Sequence, residues 1–217
     1  MALYKYCKKE HMLAMLELGA AKIGTLSSWK RTDAHGDRVG DPSEGYMALP
    51  GNLLFYDTRF IGEIINDGHA WQDPHNPDLR HFKNLGVGVA DHYAFCTAGS
   101  YSESEHQSWF EAEGYDACYR IEHGLKFFAA LSATPEVRCT ATLTCVYPAL
   151  YYDDEPGSLN EFKETFHPGL LKRKRTFADQ NEVRALWKPK NQDVELSSII
   201  VPFSSARDFV VEHRVLR

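Results

Sequence analysis

The chain has 217 residues, 43% of them hydrophobic and 25% charged, with a formal net charge of −6. These fractions are those of an ordinary globular protein and exclude a disordered or low-complexity chain, and no apolar run nears the roughly 20 residues of a membrane-spanning helix. The acidic balance argues against bulk nucleic-acid binding, which normally rests on a positive surface.

In chain order, residues 2–6 alternate small or apolar with aromatic side chains and predict a short strand. Glu10 to Leu18 predicts a helix, with Met12, Leu13, Leu16 and Ala20 on one stripe. Glu10 suits its positive end, and Gly19 suits a left-handed cap. Lys22 to Leu26 predicts a strand. Residues 27–52 then read as a polar loop, longer than a mere connection needs. Leu53 to Tyr56 and Phe60 to Ile65 read as strands or short helices, and residues 66–91 read as a second loop dense in Asp, Asn, Pro and His.

Beyond it come a strand at His92 to Thr97, a helix at Ser104 to Glu113, a strand at Asp116 to Glu122 and a buried helix at Leu125 to Leu131. Arg138 to Tyr147 alternates: Cys139, Ala141, Leu143, Cys145 and Tyr147 take one face, Arg138, Thr140, Thr142 and Thr144 the other. That period predicts a half-buried antiparallel strand. A helical stretch near Leu159 to Phe166 leads into the cations Lys172, Arg173, Lys174 and Arg175. Such a run is ordinarily a solvated loop, or a contact for phosphate. Asn181 to Trp187, Leu196 to Val201 and Phe209 to Val215 are strand candidates. No repeat or Gly/Ser linker interrupts the chain, and its strands come in runs, so a single α+β domain spanning 1–217 is expected.

The opening residues lack the apolar stretch of a signal peptide, and the five cysteines are irregularly spaced without CxxC. A cytoplasmic protein with structural thiols and no membrane partner is expected. The common nucleotide, zinc-protease and hydrolase signatures are absent. His69, His75 and His81 recur every six residues, a spacing that suits neither a helix face nor a strand, so no metal is expected.

Asp33, Asp37, Asp41 and Glu44 gather in the first loop without the register of a calcium site. They read either as Asx turns or as a substrate-facing loop using Asp41 or Glu44 as acceptor. The most informative stretch is Gln180 to Trp187. As a strand it would put Gln180, Glu182 and Arg184 on one face, with Val183, Ala185 and Trp187 toward the core. That polar face is either a solvent-exposed stripe with an i, i+2 ion pair, or a carboxylate, amide and guanidinium offered to a ribose, amide or phosphate.

The order of these motifs resembles the opening of ADP-ribosyltransferase-like domains: Leu3-Tyr4-Lys5-Tyr6, a helix ending in Leu18-Gly19, and a strand ending Gly24-Thr25-Leu26-Ser27-Ser28. The chain is similar, too, to a bacterial family of uncharacterised function with an initial Leu-Tyr-Lys/Arg-Tyr, a Gly-Asp-Pro-x-Glu loop and a late x-Glu-x-Arg strand. Here these are residues 3–6, Gly40 to Glu44, and Gln180 to Arg184. Tyr93 to Thr97 and Gln107-Ser108-Trp109-Phe110 resemble that family's middle strand and Trp-bearing helix.

The resemblance implies a bent, split antiparallel sheet with flanking helices that clamps NAD. Glu182 would stabilise the ribosyl cation as nicotinamide leaves, since an oxocarbenium-like centre needs a nearby carboxylate, and Gln180 would orient the acceptor. Tyr4 or Lys5 would meet the cofactor's phosphate or ribose, and Thr97 would belong to the second strand motif. The expected cleft is lined by residues 4–6, 27–44, 97–109 and 180–184, with Tyr6, Ser27, Trp29, Asp41, Glu44, Trp109 and Arg184 as further binding candidates. Two positions depart from the pattern: Lys5 stands where Arg or His is expected, and Cys96-Thr97-Ala98 replaces Ser-Thr-Ser.

The expected function is a divergent NAD-using ADP-ribosyltransferase or NAD glycohydrolase of a bacterial or phage conflict system, acting on NAD or a related nucleotide and on a protein target. The alternatives are a non-enzymatic protein- or nucleotide-binding module on the same scaffold, and a metal-independent nuclease using His35, His106 and the basic run.

Overall fold

A computed structural model describes residues 1–30, 46–48, 53–55, 70–73, 76–82, 86–88, 90–152, 167–173, 177–191 and 194–216. The fold is α+β, built on an eight-stranded sheet with helices packed against it. The strands are β1 (Leu3–Cys7), β2 (Ala20–Thr25), β8 (Tyr93–Ala98), β9 (Ala117–Ile121), β10 (Ala141–Pro148), β13 (Glu182–Pro189), β14 (Ile199–Pro202) and β15 (Val210–Val215). They run in the order β10-β13-β8-β1-β9-β15, with β2 paired to both β8 and β14, and every pairing is antiparallel.

Three smaller sheets are described by their backbones. They join β3 (Tyr46–Ala48) to β7 (Gly86–Gly88), β4 (Leu53–Phe55) through β6 (Asn76–Phe82) to β5 (Ala70–Asp73), and β11 (Leu150–Tyr152) to β12 (Leu171–Arg173). The stretches read from composition as two long loops therefore contain strands. Asp73 and Asn76, two of the residues that suggested a loop, are paired ends of β5 and β6. Phe60 to Ile65 and Leu159 to Phe166 lie outside the described residues.

Helix α1 (Lys9–Leu18) buries Met12 and Met15 and packs Leu16 on the core; Leu13 is half-buried, and Ala20 already belongs to β2. Gly19 ends the helix at φ 62°, and its N–H bonds the Ala14 carbonyl. A Cβ here would lie 2.6 Å from the Phe203 carbonyl oxygen, so position 19 requires glycine for both its angle and its neighbour. At the other end of β2, Thr25 and Ser28 cap one another reciprocally and start a one-turn helix, α2 (Leu26–Trp29). That helix occupies what was read as the start of a loop.

Three more helices follow, α3 (Glu103–Glu113), α4 (Gly124–Ser132) and α5 (Pro135–Thr140). The last corrects the strand expected from Arg138. Pro135 opens a helical turn, and the Thr140 hydroxyl donates back to the Glu136 carbonyl, so extension begins only at Ala141. The strict alternation of β10 is also broken. A bulge at Thr144 puts Leu143 opposite Trp187 but Cys145 opposite Leu186. Val146 consequently turns to the main core, Cys145 to the opposite face, and Tyr147 outward. A second bulge, at His213, interrupts β15.

One face of the sheet carries the main core. Leu3 and Cys7 of β1, Phe95 of β8 and Val183, Ala185 and Trp187 of β13 meet Phe127, Phe128 and Leu131 of α4 and the two methionines of α1. The other face carries two small clusters. One gathers Leu26, Ala94, Leu170 and Leu186; the other gathers Tyr6, Ala98 and Cys118 with Tyr4, Tyr101, Trp109 and Tyr115 against them. Between these clusters come Cys96 on β8 and Glu182 and Arg184 on β13. No helix among the described residues is long and apolar enough to cross a membrane.

Replacing Gly19 with Ala is expected to lower the urea midpoint by the equivalent of at least about 1–2 kcal/mol, the cost of a left-handed residue with a Cβ. An unchanged midpoint would show that the cap relaxes freely.

Candidate functional site

β8 forks the sheet. Its Tyr93 and Ala94 pair with Thr25 and Gly24 of β2, whereas its Ala98 pairs with Tyr4 of β1. The Cys96 carbonyl in the fork accepts a hydrogen bond of 2.8 Å from the Lys5 ammonium, which lies 5.1 Å from the centre of the Phe95 ring. On the face carrying the two small clusters, a cleft of about 110 Å³ opens beside this fork. Tyr4, Lys5 and Tyr6 line it from β1, Cys96, Thr97 and Ala98 from β8, and Trp29 from α2. Trp109 and Tyr115 close one wall as a parallel pair 5.5 Å apart. Lys172, Gln180 and Glu182 form the polar floor.

The floor is a buried ionic network. The Glu182 carboxylate accepts from Arg184 Nε at 2.7 Å through one oxygen and from Lys172 Nζ at 2.5 Å through the other. Lys172 also donates to Gln180 Oε1 at 2.7 Å and sits over the Phe177 ring. Arg184, fully buried, sends Nη1 to the Gly169 carbonyl at 2.7 Å. Burial pushes the Glu182 carboxyl up. The two cations beside it, with hydrogen bonds from Arg184 and the Cys96 thiol, outweigh that and hold it well below the usual carboxylate range. Cys96 itself is pushed well up, by burial and then by the Glu182 charge, and is not an activated nucleophile.

Local structure explains these positions. Glu182 and Arg184 share the outward parity of β13, while Val183, Ala185 and Trp187 fill the core. Gln180 is not on that strand. It ends a 3₁₀ turn (Ala178–Gln180), and Asn181 in the left-handed region, φ 41°, redirects the chain into β13. Gln180 reaches the network through Lys172 instead. The Glu182–Arg184 pair is the i, i+2 ion pair of the solvent-stripe reading, but it lies inside the protein. Lys172 likewise turns inward from its basic run on β12, with 5% exposure.

Of the residues singled out in the sequence, Tyr4, Lys5, Tyr6, Trp29, Thr97, Trp109, Gln180 and Glu182 line one cleft, with Arg184 directly behind it. Thr97 spends its hydroxyl on the Val183 carbonyl. Ser27 is not among the lining residues; its backbone N–H and hydroxyl both bond the Asp91 carboxylate. Asp41, Glu44 and His35 lie outside the described residues. His106 is fully buried against Tyr6 and Tyr101, and burial lowers its pKa, which suits packing better than nuclease chemistry. Among the described residues no three His, Cys, Asp or Glu side chains gather to hold a metal.

Tyr115 and Tyr151 were not foreseen. The Tyr151 hydroxyl accepts the Glu182 backbone N–H at 2.8 Å, and neither residue sits in a motif that would flag it. His167 was also missed. Its Nδ1 accepts the Gly169 N–H at 3.1 Å, and its ring stands edge-on to His92, centroids 4.8 Å apart. A Cβ on Gly169 would approach His167 Nδ1 to 3.1 Å and Leu186 to 3.0 Å, so this turn is tightly enclosed.

Burial, then the His92 ring and the Lys188 charge, lower the His167 pKa to about 4. An unfolded histidine titrates near 6.5, so between about pH 6.5 and 4 the unfolded chain binds a proton that the folded chain refuses. Stability should therefore be lost as pH drops through that window, by at most about 3 kcal/mol. Urea midpoints of wild type and His167→Asn at pH 7 and 4.5 test this; equal slopes in both proteins would refute it. Separately, Glu182→Gln leaves two buried cations without their carboxylate and should cost about 3–5 kcal/mol in urea unfolding at pH 7.

No protein-family model, curated protein or solved structure matches this chain.

Proposed function

We propose that the chain is a divergent ADP-ribosyltransferase-like domain whose cleft binds NAD and breaks its nicotinamide–ribose bond, as a glycohydrolase or a transferase to a protein target. The observation that carries this reading is the convergence of four separated segments on one carboxylate. Glu182 lies at the base of an aromatic-walled cleft, beside a fork in an antiparallel sheet. The walls suit a planar base and ribose, by stacking on Trp29, Tyr4 and the Trp109–Tyr115 pair. The floor suits an anion: among the described residues at the cleft, Lys5, Lys172 and Arg184 stand against the single carboxylate of Glu182.

In this reading the C1′–N bond breaks with its electron pair passing to the nicotinamide nitrogen, so nicotinamide leaves neutral. Glu182 stabilises the cation left on the ribose, and water or a target side chain adds at C1′ and releases a proton. A carboxylate held far below its usual range stays ionised throughout the neutral region, as that role requires. The cleft alone is smaller than the roughly 300–1,000 Å³ of ordinary ligand pockets. It takes the nicotinamide–ribose end of the ligand, and Lys5, Tyr6, Trp29, Cys96 and Tyr115 are shared with a second hollow of about 540 Å³.

One observation favours a binding module on the same scaffold. Both Glu182 oxygens are already engaged by Arg184 and Lys172, and Lys172 also meets Gln180, so the floor is satisfied without ligand. The two readings separate on nicotinamide release. The enzyme reading expects purified protein to bind NAD and liberate nicotinamide. Glu182→Asp, which keeps the charge but withdraws the carboxylate, should lower kcat about a hundredfold, measured on protein whose fold is checked by circular dichroism. NAD binding without nicotinamide release supports the module, and absence of both removes the NAD reading altogether.

A further inference from the structure

The second hollow lies toward the core face of the sheet, between α1, β1, β2 and β8. Its volume, about 540 Å³, is that of an ordinary small-molecule pocket. One side is apolar, with Ala14 and Met15 of α1, Phe95 of β8 and Ile200 of β14. Lys5 and Tyr119 face it from directly paired positions on β1 and β9, where cross-strand side chains stand about 5 Å apart. Lys22 and His11, both exposed, contribute further from β2 and α1, and no carboxylate belongs to the described lining.

Tyr119 supplies the second observation. It is 3% exposed, yet its hydroxyl makes no hydrogen bond to the described residues. Tyr119 lines the hollow, and its oxygen is not among the sealed unpartnered atoms of the described residues, which are His106 Nε2 and Arg120 Nε. A buried hydroxyl is normally partnered, because leaving it bare costs free energy. Lys5 beside it uses one of its three donors on the Cys96 carbonyl, which leaves two.

We propose that this hollow is a distinct binding site for a small monocarboxylate with an apolar body. The carboxylate is held by the Tyr119 hydroxyl and the Lys5 ammonium, and the body packs between α1 and β8. The site also touches the fork: a carboxylate on Lys5 competes with the Cys96 carbonyl for the same ammonium.

The test titrates octanoate and 4-phenylbutyrate into the full chain at pH 7 by calorimetry, with 1-octanol as the neutral control. Saturable binding of at least one carboxylate, and none of octanol, is expected. Tyr119→Phe removes only an unpartnered hydroxyl and should fold as wild type while weakening binding about tenfold. Ala14→Trp, at a half-buried helix position on the hollow, should abolish binding with its circular dichroism unchanged. No saturable binding of either acid, or equal affinity in wild type and Tyr119→Phe, overturns the proposal. No step uses NAD, so failure here and failure of the NAD reading are distinguishable.

Discussion

The Lys172–Glu182–Arg184 network is the constraint on which the candidate site depends. Moving three charges out of water costs several kcal/mol each, and only complete pairing offsets it. Here the pairing ties distant segments together. Lys172 comes from β12, Glu182 and Arg184 from β13, and Arg184 reaches on to the Gly169 carbonyl, whose N–H is held by His167. The segment from His167 to Arg173 is thus fastened to the sheet by charge and hydrogen bonds as well as by the small apolar contact of Leu170. Because the network is nearly buried and its charges are paired, it holds the cleft floor in one place.

Much of this was legible in the sequence where one local rule governs. The glycine cap of α1, the inward triplet Val183, Ala185 and Trp187, and the joint position of Glu182 and Arg184 follow from helix and strand periods alone. What was missed depends on the third dimension. Four consecutive cations carry no sign that Lys172 points inward, because that needs both a strand and a buried carboxylate opposite. The Thr144 bulge is silent in a clean alternating pattern, since one inserted residue changes faces without changing composition. The helix at Pro135 was not foreseen, because the alternation from Arg138 suggested a strand there. Thr25 and Ser28 do spell a capping box, in a stretch whose polarity suggested a loop.

The fork explains why a single lysine belongs to two hollows. β1 and β2 leave β8 at opposite ends, so the strand's edge between Ala94 and Ala98 is open to side chains from both faces of the sheet. Lys5 rises from the core face and spends a donor on the carbonyl exposed there. A sheet with an uninterrupted ladder would have left neither the carbonyl to accept nor the passage to cross. The site is therefore a product of strand divergence more than of any one motif.

The two bulges lie on β10 and β15, the outermost strands of the main path. A flat strand at the rim of a sheet is a template on which another chain can add itself, hydrogen bond by hydrogen bond. An inserted residue bends the rim and puts its backbone groups out of step after a few positions. Both ends of the main path thus resist being lengthened by a foreign strand.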